Sequence, residues 1–309
     1  MNARMSPPSW MGRLRLAVEL GQGASGGVPL RDLTELLPDD APRSEAEIGE
    51  WIRRNLPSAV VANGRAYSTR RDPWNGSSDG EARPEEYLQL AHEFFSPWIR
   101  GQRTEIRCAA VTGSVAYGSA GVSDDLDLLV CTARGAVWVF LARAFFAVRR
   151  RSRRGTAGEP SRWCFNFVTD DRTLVEEYHR ARGLLYAREA LMARVVLGEE
   201  FYRALLGSCP WMAVEAPRLY RRWARDGFPP QPPSAPAPWP TRITNVVLYF
   251  LLAPYLQLAG LRRNHRLRRE GRSAQEFRTI TRLGRLFYQS RRFDELERRY
   301  RDVSVTEGR

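Results

Sequence analysis

Apolar positions recur along the chain in two periods, and the switches between them divide it into segments. Leu14, Leu16, Ala17 and Leu20 mark a first short helix, stopped by a Gly-rich turn at 21–27. Pro29 then starts a second helix carrying Leu30, Leu33 and Leu36. Ser44 and Glu47 make a capping box, behind which Ile48, Trp51 and Ile52 form the apolar face of a third helix. Residues 58–62 and 65–69 flank Asn63-Gly64, the dipeptide of a tight hairpin turn. Three helices and a hairpin predict a winged-helix-like domain over 13–72, after a loose tail at 1–12.

Residues 73–83 are rich in Pro, Gly, Ser and Asp and predict a linker. Pro84 opens an amphipathic helix in which Tyr87, Leu88, Ala91, Phe94, Phe95 and Trp98 recur at helical spacing, a core-facing stripe. Strand patterns at 106–112, 125–130 and 162–168 enclose a mostly apolar helix at 136–148, and 172–206 is helical in pattern. The segment 84–207 therefore predicts an α/β core around a mixed sheet. A connector at 208–240 ends in the Pro-rich stretch 228–240, which suits neither helix nor central strand and predicts an extended strap. The remainder, 241–309, predicts a helical, basic C-terminal region.

Within that last region, 243–261 holds 19 residues without a charge, the lower end of a membrane span. Asn245, Pro254 and Gln257 inside it, and the lack of a second such segment, favour a buried or partner-facing helix over a membrane helix.

Charge changes the picture in one respect. The 309-residue chain carries a net +13, and every one of its 48 basic side chains is Arg, as a GC-rich genome produces. Residues 262–309 have 15 Arg against 7 acids, so a net +8 lies there. A second cluster, Arg149–Arg154, reads either as a solvated loop or as a clamp for triphosphate or nucleic-acid backbone. Nucleic acid is thus a possible partner, through the Arg-rich segments and the hairpin residues Arg65, Arg70 and Arg71. Against it, the third helix carries Glu45, Glu47 and Glu50 beside Arg53 and Arg54, a poor pattern for major-groove entry. The four Cys lack paired spacing and three sit in apolar runs, which predicts reduced, buried thiols. With no secretory leader pattern at the N-terminus, the expected location is the cytoplasm.

The chemistry concentrates in 113–130, GSVAYGSAGVSDDLDLLV. Gly113, following a buried strand, lets backbone N–H groups approach a phosphate. In the next strand, alternation sets Leu126 and Leu128 to one face and Asp125 and Asp127 to the other. Two carboxylates on one face, opposite a phosphate cradle, suit Mg²⁺, with water and substrate phosphates completing the shell. An ordinary tight turn and a surface-facing strand pair are the plainer alternatives.

Gly113-Ser114 followed by Asp125-Leu126-Asp127 resembles the DNA polymerase β-like nucleotidyltransferase superfamily, over roughly 84–207. More narrowly, the order is similar to an uncharacterised bacterial and archaeal nucleotidyltransferase-domain family with a winged-helix-like segment first and a Cys-x-Asn strand after the core motif, here Cys164-Phe165-Asn166-Phe167. The resemblance implies that Asp125 and Asp127 bind two Mg²⁺ (or Mn²⁺) and that Gly113 and Ser114 hold the triphosphate of a nucleoside triphosphate. An unknown acceptor would attack the α-phosphorus, and pyrophosphate would leave. The superfamily's third carboxylate falls where Asn166 stands, so Asn166 is a neutral metal ligand, or Asp124, Asp170 or Asp171 completes the site, or the domain binds nucleotide without chemistry. The last reading is the alternative function: a catalytically degenerate nucleotide-sensing or nucleic-acid-binding regulator. The three His residues fall outside the motif and are expected to be structural.

Overall fold

A computed structural model describes residues 9–20, 27–42, 44–68, 84–100, 105–120, 124–152, 163–231, 235–291 and 293–299. The chain opens with α1 (Ser9–Leu20), β1 (Val28–Pro29), α2 (Leu30–Leu36) and α3 (Glu45–Asn55), followed by β2 (Ala59–Ala62) and β3 (Arg65–Ser68). The local signals act as read. Ser44 Oγ accepts from Glu47 N at 3.2 Å while Glu47 Oε2 accepts from Ser44 N at 3.3 Å, a reciprocal cap. Asn63 and Gly64 turn the hairpin at φ of 50° and 70°. The strands form a small sheet in the order β1-β3-β2. Helix α1 begins at Ser9, inside the expected tail, because Trp10 packs edge-on to Trp51 at 5.3 Å.

The main body comprises α4 (Pro84–Ile99), β4 (Ile106–Thr112), α5 (Gly113–Ala116), β5 (Leu126–Thr132), α6 (Val137–Ser152), β6 (Trp163–Asp170), α7 (Asp171–Tyr178), α8 (Leu184–Met192), β7 (Arg194–Leu197) and α9 (Glu199–Gly207). After it come α10 (Trp211–Glu215), α11 (Pro217–Ala224), α12 (Trp239–Arg269), β8 (Phe277–Arg282) and β9 (Arg285–Ser290). Six strands form one mixed sheet in the order β7-β4-β5-β6-β9-β8. Only β5 and β6 run parallel; the other neighbours are antiparallel. The fold is therefore α+β around a mixed sheet.

Two expectations change. The C-terminal region is not wholly helical: residues 277–290 form a hairpin that joins the central sheet, with Phe167, Val168 and Thr169 of β6 paired to Phe287, Leu286 and Arg285. Nor is 172–206 continuous helix, since Arg194–Leu197 forms the edge strand β7. A four-residue strand of Arg, Val, Val and Leu, without Gly or Pro at its start, leaves a helical pattern almost unbroken.

Side-chain alternation assigns the two sheet faces. Leu126, Leu128 and Val130 pack into the layer of α4 and α6, with Phe94, Phe95, Trp98 and Phe140. Leu129 and Cys131 face the opposite core, which runs from α8 and α9 into the N-terminal unit. That unit is fastened by α11: Arg218 Nη1 donates to Thr34 O and Pro42 O at 2.9 and 3.0 Å, and Arg222 pairs with Glu35 at 2.6 Å. The Pro-rich stretch lies outside helix and strand at 228–231 and 235–238, with Ala237 N donating to Arg134 O at 3.0 Å, but its last residues, Trp239 and Pro240, open α12, where a first-turn Pro loses no helical hydrogen bond. Cys108, Cys131 and Cys209 are buried, Cys164 is half-buried, and all four are free thiols.

Helix α12 is the one described helix long and apolar enough to cross a membrane, yet only 17% of its most apolar window is buried. Of the two alternatives to a membrane helix, full burial is excluded for one of its faces, and the partner-facing one stands. The expected linker at 73–83, Arg70, Arg71, and Arg153 and Arg154 of the basic cluster lie outside the described residues.

Candidate functional site

The strand β4 runs out at Thr112, which stands opposite Asp127 of β5 in the antiparallel ladder. At the next position the chain turns with Gly113 at φ +67°, a conformation that disfavours side chains. Space excludes them as well, since a Cβ on Gly113 would collide with Asp127 Oδ2. The glycine thus lets the backbone close over the carboxylate. The short α5 follows, and the loop after it is closed by Ser119 N donating to Ser114 O at 2.9 Å. Arg65 of the hairpin donates to Gly118 O and, at 3.1 Å, to Gly27 O. Arg194 Nε reaches Ala116 O at 3.4 Å, and the Arg188 guanidinium lies 4.4 Å from the Tyr117 ring centre. Arg65, a candidate for nucleic acid, is engaged with the motif loop instead.

Asp125 and Asp127 both line a cleft of about 1390 Å³, together with Thr112, Asn166, Glu189 and Arg263. Burial first, and the neighbouring Asp125 second, push the Asp127 carboxyl up to about 8, against the stabilising donation from Asn166. The Cys164 thiol is raised by burial and then by Asp127, while Arg263 opposes the rise. The guanidinium of Arg263 is therefore within electrostatic reach of the acidic end of the cleft; it also lies 4.8 Å from the Phe277 ring centre.

A bulge places Asn166. The β5–β6 register shifts between Asp127 and Leu129, whose partners are Cys164 and Phe167, so β6 carries one extra residue. Phe165 and Val168, three apart, both pack toward α4 and α6, which unbroken alternation forbids. Asn166 then faces the cleft, with Nδ2 donating to Asp127 Oδ1 at 2.5 Å and Oδ1 accepting from Cys164 Sγ at 2.7 Å. In this orientation it holds the Asp127 carboxylate; service as a metal ligand requires the amide to be turned over.

The other candidate acids are placed differently. Asp170 caps α7, accepting from Thr173 N at 2.9 Å, and Asp171 Oδ1 accepts from Arg172 N at 2.8 Å. Asp170 pairs with Thr132, five residues along β5 from Asp127, which is about 17 Å of strand. Neither completes the acidic pair. Asp124 does not line the cleft. Glu189, on α8, does line it and adds to the upward shift of Asp127. Sequence reasoning missed this residue; its only signal was a charged pair, Arg188-Glu189, set among Leu184, Leu185, Ala187, Ala190 and Leu191.

Chemically, the donor set fits a hard divalent cation in part. Two carboxylates share a cleft roomy enough for water and phosphate oxygens, and burial together with the neighbouring Asp125 raises the carboxyl of Asp127, a charge conflict that a divalent cation would relieve. Among the described residues, no group of three His, Cys, Asp or Glu side chains converges closely enough to hold a metal without the substrate. No protein-family model matches the chain, and neither curated proteins nor solved structures supply a match.

Proposed function

We propose that the cleft carries out metal-dependent nucleotidyl transfer, moving a nucleoside monophosphate from a nucleoside triphosphate to an acceptor and releasing pyrophosphate. The observation that carries this reading is the seating of Gly113 against Asp127, which sets a side-chain-free turn beside a carboxylate that shares its cleft with Asp125. In the reaction, Asp125 and Asp127 hold Mg²⁺ or Mn²⁺, which when bound offsets the negative charge of the triphosphate and of the departing pyrophosphate. Gly113 and Ser114 seat the triphosphate where the turn leaves backbone exposed. Asn166 keeps Asp127 oriented through its amide donation. Arg263, which also lines the cleft, offers phosphate a planar guanidinium. No side-chain base is required of the three His residues, none of which lines the cleft.

The test is calorimetric titration of each of the four nucleoside triphosphates with Mn²⁺ into the protein and into Asp125→Ala/Asp127→Ala. Metal-dependent binding of one triphosphate, absent from the double variant, supports the reading. A single-turnover assay for pyrophosphate with an acceptor pool then separates transfer from binding.

A second reading rests on Asn166. Because its NH₂ group, and not an oxygen, points to Asp127, the domain would bind nucleotide and metal without turnover, as a sensor. Metal-dependent binding with no pyrophosphate release under any acceptor would favour it.

A further inference from the structure

Helix α12 packs on the rest of the protein through Tyr249, Leu252, Ala253 and Leu256 and presents a second apolar face to solvent, where a surface helix is ordinarily polar. Three of its uncharged polar side chains are tied to the rest of the protein. Asn245 Oδ1 accepts from Trp138 N at 2.7 Å, Gln257 Nε2 donates to Thr281 Oγ1 at 2.6 Å, and Asn264 Nδ2 donates to Phe277 O at 2.7 Å. Outward, Ile243, Val247, Phe250, Leu251, Tyr255 and Leu261 are each more than half exposed, at 53–69%. The uncharged run they belong to is 19 residues long, about 29 Å of helix. An apolar stripe of that length is not a scatter of single surface residues and implies an apolar occupant.

What bounds the stripe identifies that occupant. Arg242 precedes it, and Arg262, Arg266 and Arg269 follow it, all exposed. Two acids at this end are already paired, Glu270 with Arg266 at 3.8 Å and Arg272 at 3.2 Å, and Glu276 with Arg268 at 2.8 Å. A second copy of the chain would bring the same cationic ends to the contact. Nucleic acid would use the arginines and leave the stripe in water. An anionic bilayer takes both: acyl chains receive the apolar side chains, and guanidinium groups reach the headgroup phosphates from either end. We propose that the outer face of α12 docks the protein onto an anionic lipid surface. The helix lies on that surface and does not span it, because its inner face is bonded to α6 and the β8–β9 hairpin.

The experiment is co-sedimentation of the full chain with vesicles of phosphatidylcholine alone or mixed with phosphatidylglycerol. The expected result is binding to the mixed vesicles, weaker by about tenfold on phosphatidylcholine alone. Leu251→Ser/Tyr255→Ser loses about tenfold in partitioning while melting like the parent protein. Arg262→Gln/Arg269→Gln weakens binding to the mixed vesicles alone. Recovery of the protein in the supernatant with both vesicle types overturns the proposal, as does unchanged binding of Leu251→Ser/Tyr255→Ser. A dimer in sedimentation velocity that this double variant splits, with no vesicle binding, assigns the stripe to a second copy and equally overturns it.

Discussion

Asn166 Nδ2 donates to Asp127 Oδ1 across 2.5 Å, so the residue that replaces an expected carboxylate steadies the carboxylate beside it. Asn166→Asp therefore has opposite effects with and without metal. Without it, a third acid beside Asp125 and Asp127 repels, and stability falls by about 1–3 kcal/mol at neutral pH. With Mn²⁺ and triphosphate, the added charge tightens binding. Denaturant melts in the two conditions check both signs; a variant weakened in each would remove Asn166 from the site.

Gly113→Ala meets two obstacles at once, the left-handed backbone at φ +67° and the collision with Asp127. The expected cost is about 1–3 kcal/mol of stability together with loss of metal-dependent triphosphate binding. Gly64→Ala, at φ +70° with open space around it, is the control: it strains the backbone alone and should leave binding intact.

Because the Asp127 carboxyl is raised from 3.8 to about 8, the metal-free protein binds more protons folded than unfolded between those values. Its contribution thus destabilises the fold as pH rises through that window and vanishes below about pH 4, on the order of 6 kcal/mol in full. Asp127→Asn should flatten the dependence and raise the melting temperature at pH 8. Metal binding to the parent protein should release a proton, which calorimetry in buffers of different ionisation enthalpy detects.

These predictions depend on parts of the molecule that differ in how openly the sequence declares them. Turn chemistry and strand alternation act over a few residues, so the sequence points to Gly113, Asp125 and Asp127 directly, and the structure sets Gly113 against Asp127 and both acids in one cleft, which Ser114 does not line. The capping box and the Asn63-Gly64 hairpin were legible for the same reason. The β6 bulge was not, since nothing local in Trp163–Asp170 marks the extra residue. Glu189 and Arg263 were also hidden: each reaches the cleft from a helix whose position is set by tertiary packing. The hairpin 277–290 was masked by its Arg-rich composition, in which strand alternation is hard to separate from solvated helix.

Asn245 is 1% exposed and supplies the acceptor for Trp138 N–H at the start of α6. Asn245→Leu leaves that N–H buried without its side-chain partner and should cost about 1–3 kcal/mol. Thr244→Ala, one residue away on the exposed side, should cost less, since its hydroxyl bonds only Pro240 O within its own helix. Parallel melts of the two variants measure the difference.

The strand that carries Asn166 acquires its second neighbour only from the hairpin near the end of the chain. A ribosome making this protein therefore releases β6 with one edge open and must add 120 further residues, 171–290, before β9 can cover it. At about 5–20 residues per second that interval lasts roughly 6–24 s, long compared with strand pairing. Throughout it the nascent chain holds a half-built sheet, and slow translation of the Arg-rich C-terminal stretch lengthens its exposure to aggregation and to chaperone capture.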